Sequence, residues 1–420
     1  MSKKESSDNE KLSTESYKGV RDFYPEDQAL FTHFTNIMRA TVEKFGYVEY
    51  HASVLEPAEL YKSKTSEEII NEQTYTFVDR GGREVTLRPE MTPTVARMVA
   101  GKRREFGFPL RLYSIPNVFR YERPQRGRLR EHWQLNVDLF GSTSVEADTE
   151  IIAVAHALMK AFGASDDDFI IKIGSRNFLN ALTRELNLSD DAAKNLRGLL
   201  DKRKKLPPGE FEKQIADLGI AAEALESDKT PDDVAKVLER LEERGIGNAQ
   251  FAPEIVRGFD YYSGIVFEVF DTHEDNNRSL FGGGRYDNLT ALFDTEPTPG
   301  VGFGMGDVTM RDFLEVRGRL PEYAPKTHVY IAVASPEVIN SAVALANELR
   351  KANVAVALDF GEKKLGDQIK TATKHKIPHL IVVGEEEVAS GNYKVRELSS
   401  GEETLVVQNE LPEFFSIRNK

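Results

Sequence analysis

Three segments carry residue types that could do chemistry. The first is FRYERPQRGRLREHW, residues 119–133. On a strand, Arg120 and Glu122 share one face because side chains alternate. That face offers a cation for a phosphate and an acceptor for an amine. Arg123, Arg126, Arg128 and Arg130 follow in a loop that Gly127 allows to turn. A solvated, salt-bridged hairpin accounts for the same residues. The second segment, RGFDYYSG, sets two tyrosines beside a charged pair, and a core edge with satisfied hydroxyls would look alike. The third is FGGGRY together with GVGFGMG. Glycine at every second strand position leaves one face bare, so a flat ligand could approach the backbone; a tight bend or bulge is the plain alternative.

Other chemistries are disfavoured. No first strand is followed by the helix-opening turn of a dinucleotide site. His375 and His379 stand four apart, but Pro378 breaks the helix that would join them, so a structural or surface role is expected. Cysteine is absent, which removes disulfides, thiolate metal sites and cysteine nucleophiles. No GxSxG nucleophile motif is present.

The elements that must position these segments are readable from periodicity. Leu30, Phe34, Ile37, Met38 and Val42 predict a helix from about Asp27 to Lys44. YVEYHASVLEP reads as a strand broken by Pro57, and YTFVD and EVTLRPE as a hairpin turning at Arg80-Gly81-Gly82. LRLYSIPNVFRYE and HWQLNVDLFG predict two strands joined by the arginine-rich loop. A helix from Val145 to Phe162 and a strand at FIIKI follow. From about Ser175 to Gly247 the pattern is helical, with a helix start at Thr230-Pro231-Asp232-Asp233. Strands then return through the tyrosine and glycine segments. Past GRLPEYAPKTH, strands alternate with helices, which argues a parallel α/β domain closed by a hairpin at Ser400-Gly401.

A chain of 420 residues is expected to hold two or three domains. No stretch approaches the roughly 18 apolar residues of a membrane span, so no membrane partner is expected. The polar start MSKKESSDNEKLSTES reads as a disordered tail without a secretory signal, and a cytoplasmic location follows as the expectation. The formal net charge of −13 argues against a protein that coats nucleic acid along its whole surface. A local basic patch on an acidic body stays open.

Taken in order, TLRPEMT, FRYERPQRGRLREHWQ and VRGFDYYSGIVFE resemble the motifs of the histidyl-tRNA synthetases, a family of class II aminoacyl-tRNA synthetases. The last resembles that family's histidine-binding signature. The resemblance begins near Lys18-Gly19 and covers nearly the whole chain. It implies an α+β catalytic domain, an antiparallel sheet flanked by helices, with a helical insertion and a C-terminal α/β anticodon-binding domain. The implied boundaries are a tail over 1–16, a catalytic domain over 17–325, an insertion over 176–248 and an anticodon domain over 326–420. A homodimer is implied too.

The implied reaction joins L-histidine to the α-phosphate of ATP, then passes the histidyl group to the 3′ end of tRNA(His). By resemblance, Arg120 and Arg257 would be the catalytic cations and also touch histidine. Glu90 would take the α-ammonium, with Met91 and Thr92 beside it. Gln134, Asp138, Tyr261 and Tyr262 would line the pocket, the tyrosines meeting the imidazole. Glu122 would accept from the adenine amine, His132 would stand at the adenine-stacking position and Gly304 would border ATP. Arg123, Gln125 and Arg126 would approach the tRNA acceptor end. Mg2+ would bridge the ATP phosphates through ligands the sequence does not name.

Two positions depart from the family pattern. Thr309 stands where the third class II motif ends in an arginine for the γ-phosphate, and Arg311 lies about 200° further round a helix. His132 stands where phenylalanine is usual, with Trp133 next to it. Three other readings fit parts of the chain. They are a histidine-sensing regulatory subunit of ATP phosphoribosyltransferase, a non-catalytic tRNA sensor and a generic ATP-dependent ligase.

Overall fold

A computed structural model describes residues 12–62, 73–202, 206–207, 209–220, 230–255, 261–276, 278–360 and 363–418. Most of the expected tail, and Arg257, lie outside the described residues. Two compact units emerge, Met1–Leu320 and Pro321–Lys420.

In the first unit, helix α1 (Pro25–Glu43) starts with a proline and with Glu26 and Asp27 at its positive end. Phe34, Met38 and Val42 are its buried apolar side. The next segment forms two strands where one broken strand is expected: β1 (Val48–Glu49) and β2 (Leu55–Pro57) join different sheets. The cause is tertiary. Buried Arg88 donates through Nη1 to the carbonyls of Ala52 and Ser53, at 2.7 and 3.1 Å, so this stretch serves a side chain instead of a strand ladder. After α2 (Glu59–Lys62), β3 (Tyr75–Val78) and β4 (Glu84–Leu87) make the expected hairpin, with β2 on the other edge of β4.

Helix α3 (Thr92–Gly101) is followed by β5 (Leu110–Ser114), β6 (Asn117–Phe119) and β7 (Glu131–Phe140). β5 and β6 were expected as one strand, but Pro116 has no N–H for a ladder. Then come α4 (Val145–Ala161), capped by Ser144, and β8 (Phe169–Ser175). The helical stretch contains α5 (Arg176–Glu185), α6 (Asp190–Lys202), α7 (Glu210–Asp217) and α8 (Asp232–Glu243). β9 (Ala249–Phe251), β10 (Ile265–Asp271), β11 (Ser279–Arg285), β12 (Gly300–Gly306) and α9 (Asp307–Glu315) complete the unit.

The large sheet runs β1-β5-β7-β12-β11-β10-β8-β9, with β6 also on β7. Its pairings are antiparallel except β1–β5 and β8–β9. One face is dry. Leu135, Val137 and Leu139 of β7 pack there with Ile151 and Leu158 of α4, Phe34 of α1 and Met310 of α9. Val234, Val237 and Leu241 of α8 join this same core, whereas α5, α6 and α7 close a separate cluster around Leu179, Leu196 and Phe211. The opposite face of the central strands carries polar residues beside a smaller apolar cluster that includes Val95, Phe140 and Tyr286.

The second unit contains β13 (Val329–Val333), α10 (Ile339–Lys351), β14 (Val356–Leu358), α11 (Leu365–Lys374), β15 (His379–Val383), α12 (Glu385–Ser390), β16 (Asn392–Glu397), β17 (Glu403–Val407) and α13 (Leu411–Arg418). The sheet order is β14-β13-β15-β16-β17. The first three strands are parallel, and the closing hairpin adds two antiparallel strands, so the sheet is mixed. Among the described residues, no helix is long and apolar enough to cross a membrane.

Candidate active site

Alternation along β7 builds the floor of the site. With its odd-numbered residues in the core, His132, Gln134, Asn136 and Asp138 open onto the other face. β12 lies alongside, with Gly302 opposite Asp138 and Gly306 opposite Gln134. A Cβ on Gly302 would sit 2.4 Å from Asp138 Oδ1, and one on Gly304 would sit 2.8 Å from Gln134 Cδ. The glycine stripe therefore makes room first for the chain's own side chains, which lie across β12. On β11, a Cβ at Gly284 would fall 3.0 Å from Tyr262 Cδ1.

One wall is the turn into α3. Glu90 is buried, and Tyr261 Oη donates to its Oε2 at 2.8 Å. Arg88, fully buried, fixes this turn by donating through Nε to Asn117 O at 2.9 Å besides its bonds to Ala52 and Ser53. Tyr61 Oη meets Thr94 Oγ1 at 2.9 Å. Met91 is buried beneath the turn, and Thr92 keeps part of its surface open. Tyr261 packs between neighbours, tilted against Tyr262 with ring centres 4.9 Å apart and edge-on to Tyr286 at 6.0 Å. Tyr286 in turn donates to Asp138 Oδ1. Burial pushes the Asp138 carboxyl up to about 7, against the lowering effect of that tyrosine.

Arg120 marks the neighbouring region. Its Nε donates to Pro89 O at 2.9 Å, which aims the guanidinium beside the Glu90 turn. Arg120 and Glu122 do not share a strand face, as expected from alternation, because β6 ends at Phe119. The ladder fails for a physical reason: Arg130 N–H is taken by Gly19 O at 2.8 Å, and Glu122 N–H turns back to Arg120 O at 2.7 Å. Glu122 instead pairs with Arg128 Nη1 at 3.3 Å. In the loop, Arg123, Gln125 and Arg126 are exposed; Gln125 and Arg128 close a tight turn, and Arg126 O accepts from Arg278 Nη1 at 2.7 Å.

His132 keeps part of its ring open, yet burial and then the guanidinium groups of Arg120 and Arg21 hold its pKa down to about 3. It is therefore a neutral ring. Trp133 points to the opposite face, packed on Phe23 and Phe31 with ring centres 5.0 and 5.2 Å away. Thr309 Oγ1 donates to Leu280 O at 2.7 Å, tying α9 to β11. Arg311 pairs with Asp27 of α1 at 3.5 Å. Among the described residues, no three or more His, Asp or Glu side chains gather as a metal cluster.

Sequence reasoning missed Arg88, Tyr61 and Tyr286. The signal for Tyr286 was present, since it stands two residues after Gly284 and so shares that residue's strand face. Arg88 was visible only as part of a motif; its reach to Ala52 and Ser53 is a tertiary fact.

A family model described as histidyl-tRNA synthetase matches residues 19–207 and 208–307, and one described as an anticodon binding domain matches residues 328–418. A histidine–tRNA ligase of Leptospira biflexa is 40% identical over 413 residues, covering 93% of this chain and 94% of that one. One from Halorubrum lacusprofundi is 36% identical, covering 94% and 96%. The fold of a Nostoc histidyl-tRNA synthetase superposes with a TM-score of 0.79 at 22% identity, over 97% of this chain and 100% of that one. A Bacillus halodurans protein described as an ATP phosphoribosyltransferase regulatory subunit/histidyl-tRNA synthetase gives 0.72 at 25% identity, over 89% and 99%. With both domain models matched in order and relatives alike over almost their full lengths, the chain belongs to the histidyl-tRNA synthetase family.

Proposed function

We propose that the protein is a histidine–tRNA ligase that activates L-histidine with ATP and transfers it to tRNA(His). The observation that carries this reading is a pair of buried carboxylates linked through tyrosines: Tyr261 bonds Glu90 on the wall, Tyr286 bonds Asp138 on the floor, and the two rings lie 6.0 Å apart. A zwitterionic amino acid with a ring N–H matches that pair, one carboxylate for the ammonium and one for the ring. The anticodon-binding unit favours this reading over a regulatory subunit.

In this reading Glu90 holds the ammonium, and Gln134 and Thr92 border it. Asp138 takes the ring N–H, and Tyr261 and Tyr262 pack on the imidazole. Arg120, fixed through Nε, lies between the histidine carboxylate and the α-phosphate. Two anions must approach each other there, and a preorganised cation lowers that barrier by positioning and charge neutralisation. The carboxylate oxygen attacks the α-phosphorus and pyrophosphate leaves with the bond's electron pair. Arg257, from the tyrosine segment, is assigned the second cation on that phosphate. Mg2+ bound with ATP would neutralise part of the phosphate charge. His132 stacks on adenine, Glu122 accepts from its amine after releasing Arg128, and Gly304 lets the nucleotide lie close. Arg123, Gln125 and Arg126 guide the tRNA acceptor end. The protein acts as a cytoplasmic homodimer.

The test is histidine-dependent exchange of pyrophosphate into ATP, with other amino acids as controls. Exchange with histidine alone is expected, which would also show that Thr309 suffices at the position where the third class II motif ends in an arginine. No exchange, in folded protein that binds histidine, would move the reading to a histidine sensor.

A further inference from the structure

Three buried oxygens make no hydrogen bond of good geometry among the described residues and stand in one neighbourhood: Tyr50 Oη, Ser114 Oγ and Asp138 Oδ2, the first two close enough for the Ser114 hydroxyl to act on the phenol. The backbone puts them there. Tyr50 N–H donates to Tyr113 O at 2.9 Å, which carries the β1–β5 pairing one residue past Glu49. Tyr50 thus stands beside Ser114. β5 pairs with β7 so that Leu112 is opposite Asp138 and Ser114 opposite Asn136. Tyr113 points into the dry core, so Tyr50, Leu112 and Ser114 face the other way, with Asp138. Tyr50 packs there in one cluster with Leu112, Tyr261 and Tyr286.

The ring of Tyr50 is part-exposed, but its hydroxyl is buried. Burial, then the nearby Asp138 carboxylate, push its pKa far up, with the Ser114 hydroxyl opposing, so it remains a phenol that can donate. Each unpaired buried polar group costs on the order of 1–3 kcal/mol. Three in one wall form a surface that an apolar side chain would leave unsatisfied. A ring bearing one N–H and one bare nitrogen would satisfy them, giving its proton to the carboxylate and accepting from a hydroxyl.

We propose that Tyr50 and Ser114 are specificity-determining residues of the amino-acid pocket, forming with Asp138 Oδ2 a three-oxygen subsite for an imidazole ring. The inference rests on the reading that histidine is the substrate. It extends the pocket from β7 to β1 and β5, strands that carry none of the motif residues.

Tyr50→Phe and Ser114→Ala test it by pyrophosphate exchange at varied histidine and varied ATP. Tyr50→Phe is expected to raise the KM for histidine about tenfold, and Ser114→Ala about threefold, the size of one lost hydrogen bond in a pocket. The kcat should stay within about twofold and the KM for ATP should not move, because the floor under Arg120 is untouched. The melting temperature should equal or exceed that of the unsubstituted protein, since each variant removes a buried hydroxyl that lacks a good partner. An unchanged histidine KM in Tyr50→Phe, or a parallel rise in the KM for ATP, overturns the proposal. If the unsubstituted protein gives no exchange at all, the ligase reading fails by itself. Calorimetric titration with histidine then decides the subsite: weaker binding by Tyr50→Phe sustains it, and equal binding or none in either protein overturns it.

Discussion

Asp138 and His132 sit three periods of the pleat apart on β7 and are shifted in opposite senses by burial, one carboxyl up to about 7 and one imidazole down to about 3. For Asp138 the folded pKa lies above the unfolded value, so the folded state keeps a proton that the unfolded chain releases. Stability from this group is full at low pH and is lost as pH rises from about 4 to about 7. Asp138→Asn removes that slope. Denaturant unfolding at about pH 4, 6 and 8 should show the variant gaining on the unsubstituted protein by a few kcal/mol across that window. Asp148, also raised, acts equally in both proteins and cancels in the difference. The same substitution should lower kcat/KM for histidine by about 10², because an amide cannot act as the charged acceptor. A matching slope in both proteins would show that Asp138 does not titrate in this range. His132, neutral at any working pH, should tolerate phenylalanine. Measured by exchange, His132→Phe should change the KM for ATP by less than about threefold, while His132→Ala raises it roughly tenfold, the size of one aromatic–base stack.

At the scale of elements, β12 is the strand on which the site depends. Its glycines are required by neighbours: the three atoms nearest a Cβ on Gly304 all belong to the Gln134 side chain, whereas one on Gly302 would meet Asp138 and also Val137 O at 2.5 Å. Gly304→Ala should therefore displace Gln134 and raise the histidine KM about tenfold, with the melting temperature nearly unchanged. Gly302→Ala should lower both activity and melting temperature, because a backbone carbonyl cannot rotate aside as a side chain can. Exchange assays paired with thermal unfolding separate the two, and identical behaviour of the variants would refute this account. Much of β7 was legible in advance, since HWQLNVDLFG alternates cleanly. Helix α3 was not. Its sequence TPTVARMVAG combines proline, threonine, valine and glycine, which favour helix poorly. It is held by burial of Val95, Ala96 and Val99, a tertiary contribution that overrides propensity.

For the whole molecule, the two units have separate cores, one on the large sheet and one around Val329, Ile331 and Ile381. Removing residues 321–420 should leave exchange within a few-fold of the full chain while tRNA charging falls by about 10² or more, as loss of a remote binding surface predicts. Exchange and aminoacylation measured on one preparation check this, and equal loss of both would contradict it. The net charge of −13 is no obstacle to a polyanionic partner. Arg123 and Arg126 are exposed on one loop, and attraction to phosphate is local once charges lie more than about 8–10 Å apart in physiological salt.

The sequence by itself determined the order of parts, the family motifs and the polar face of β7. These are local properties: a period, a spacing, a run of glycines. The tertiary structure decided what those residues face. Arg88 reaching Ala52 and Ser53 split one expected strand into two sheets, and Gly19 accepting from Arg130 ended the strand before Glu122 could share a face with Arg120. Tyr50 and Ser114 came beside Asp138 only when β1 and β5 paired next to β7. Each of these depends on hydrogen bonds between groups far apart in the chain, which no local pattern encodes.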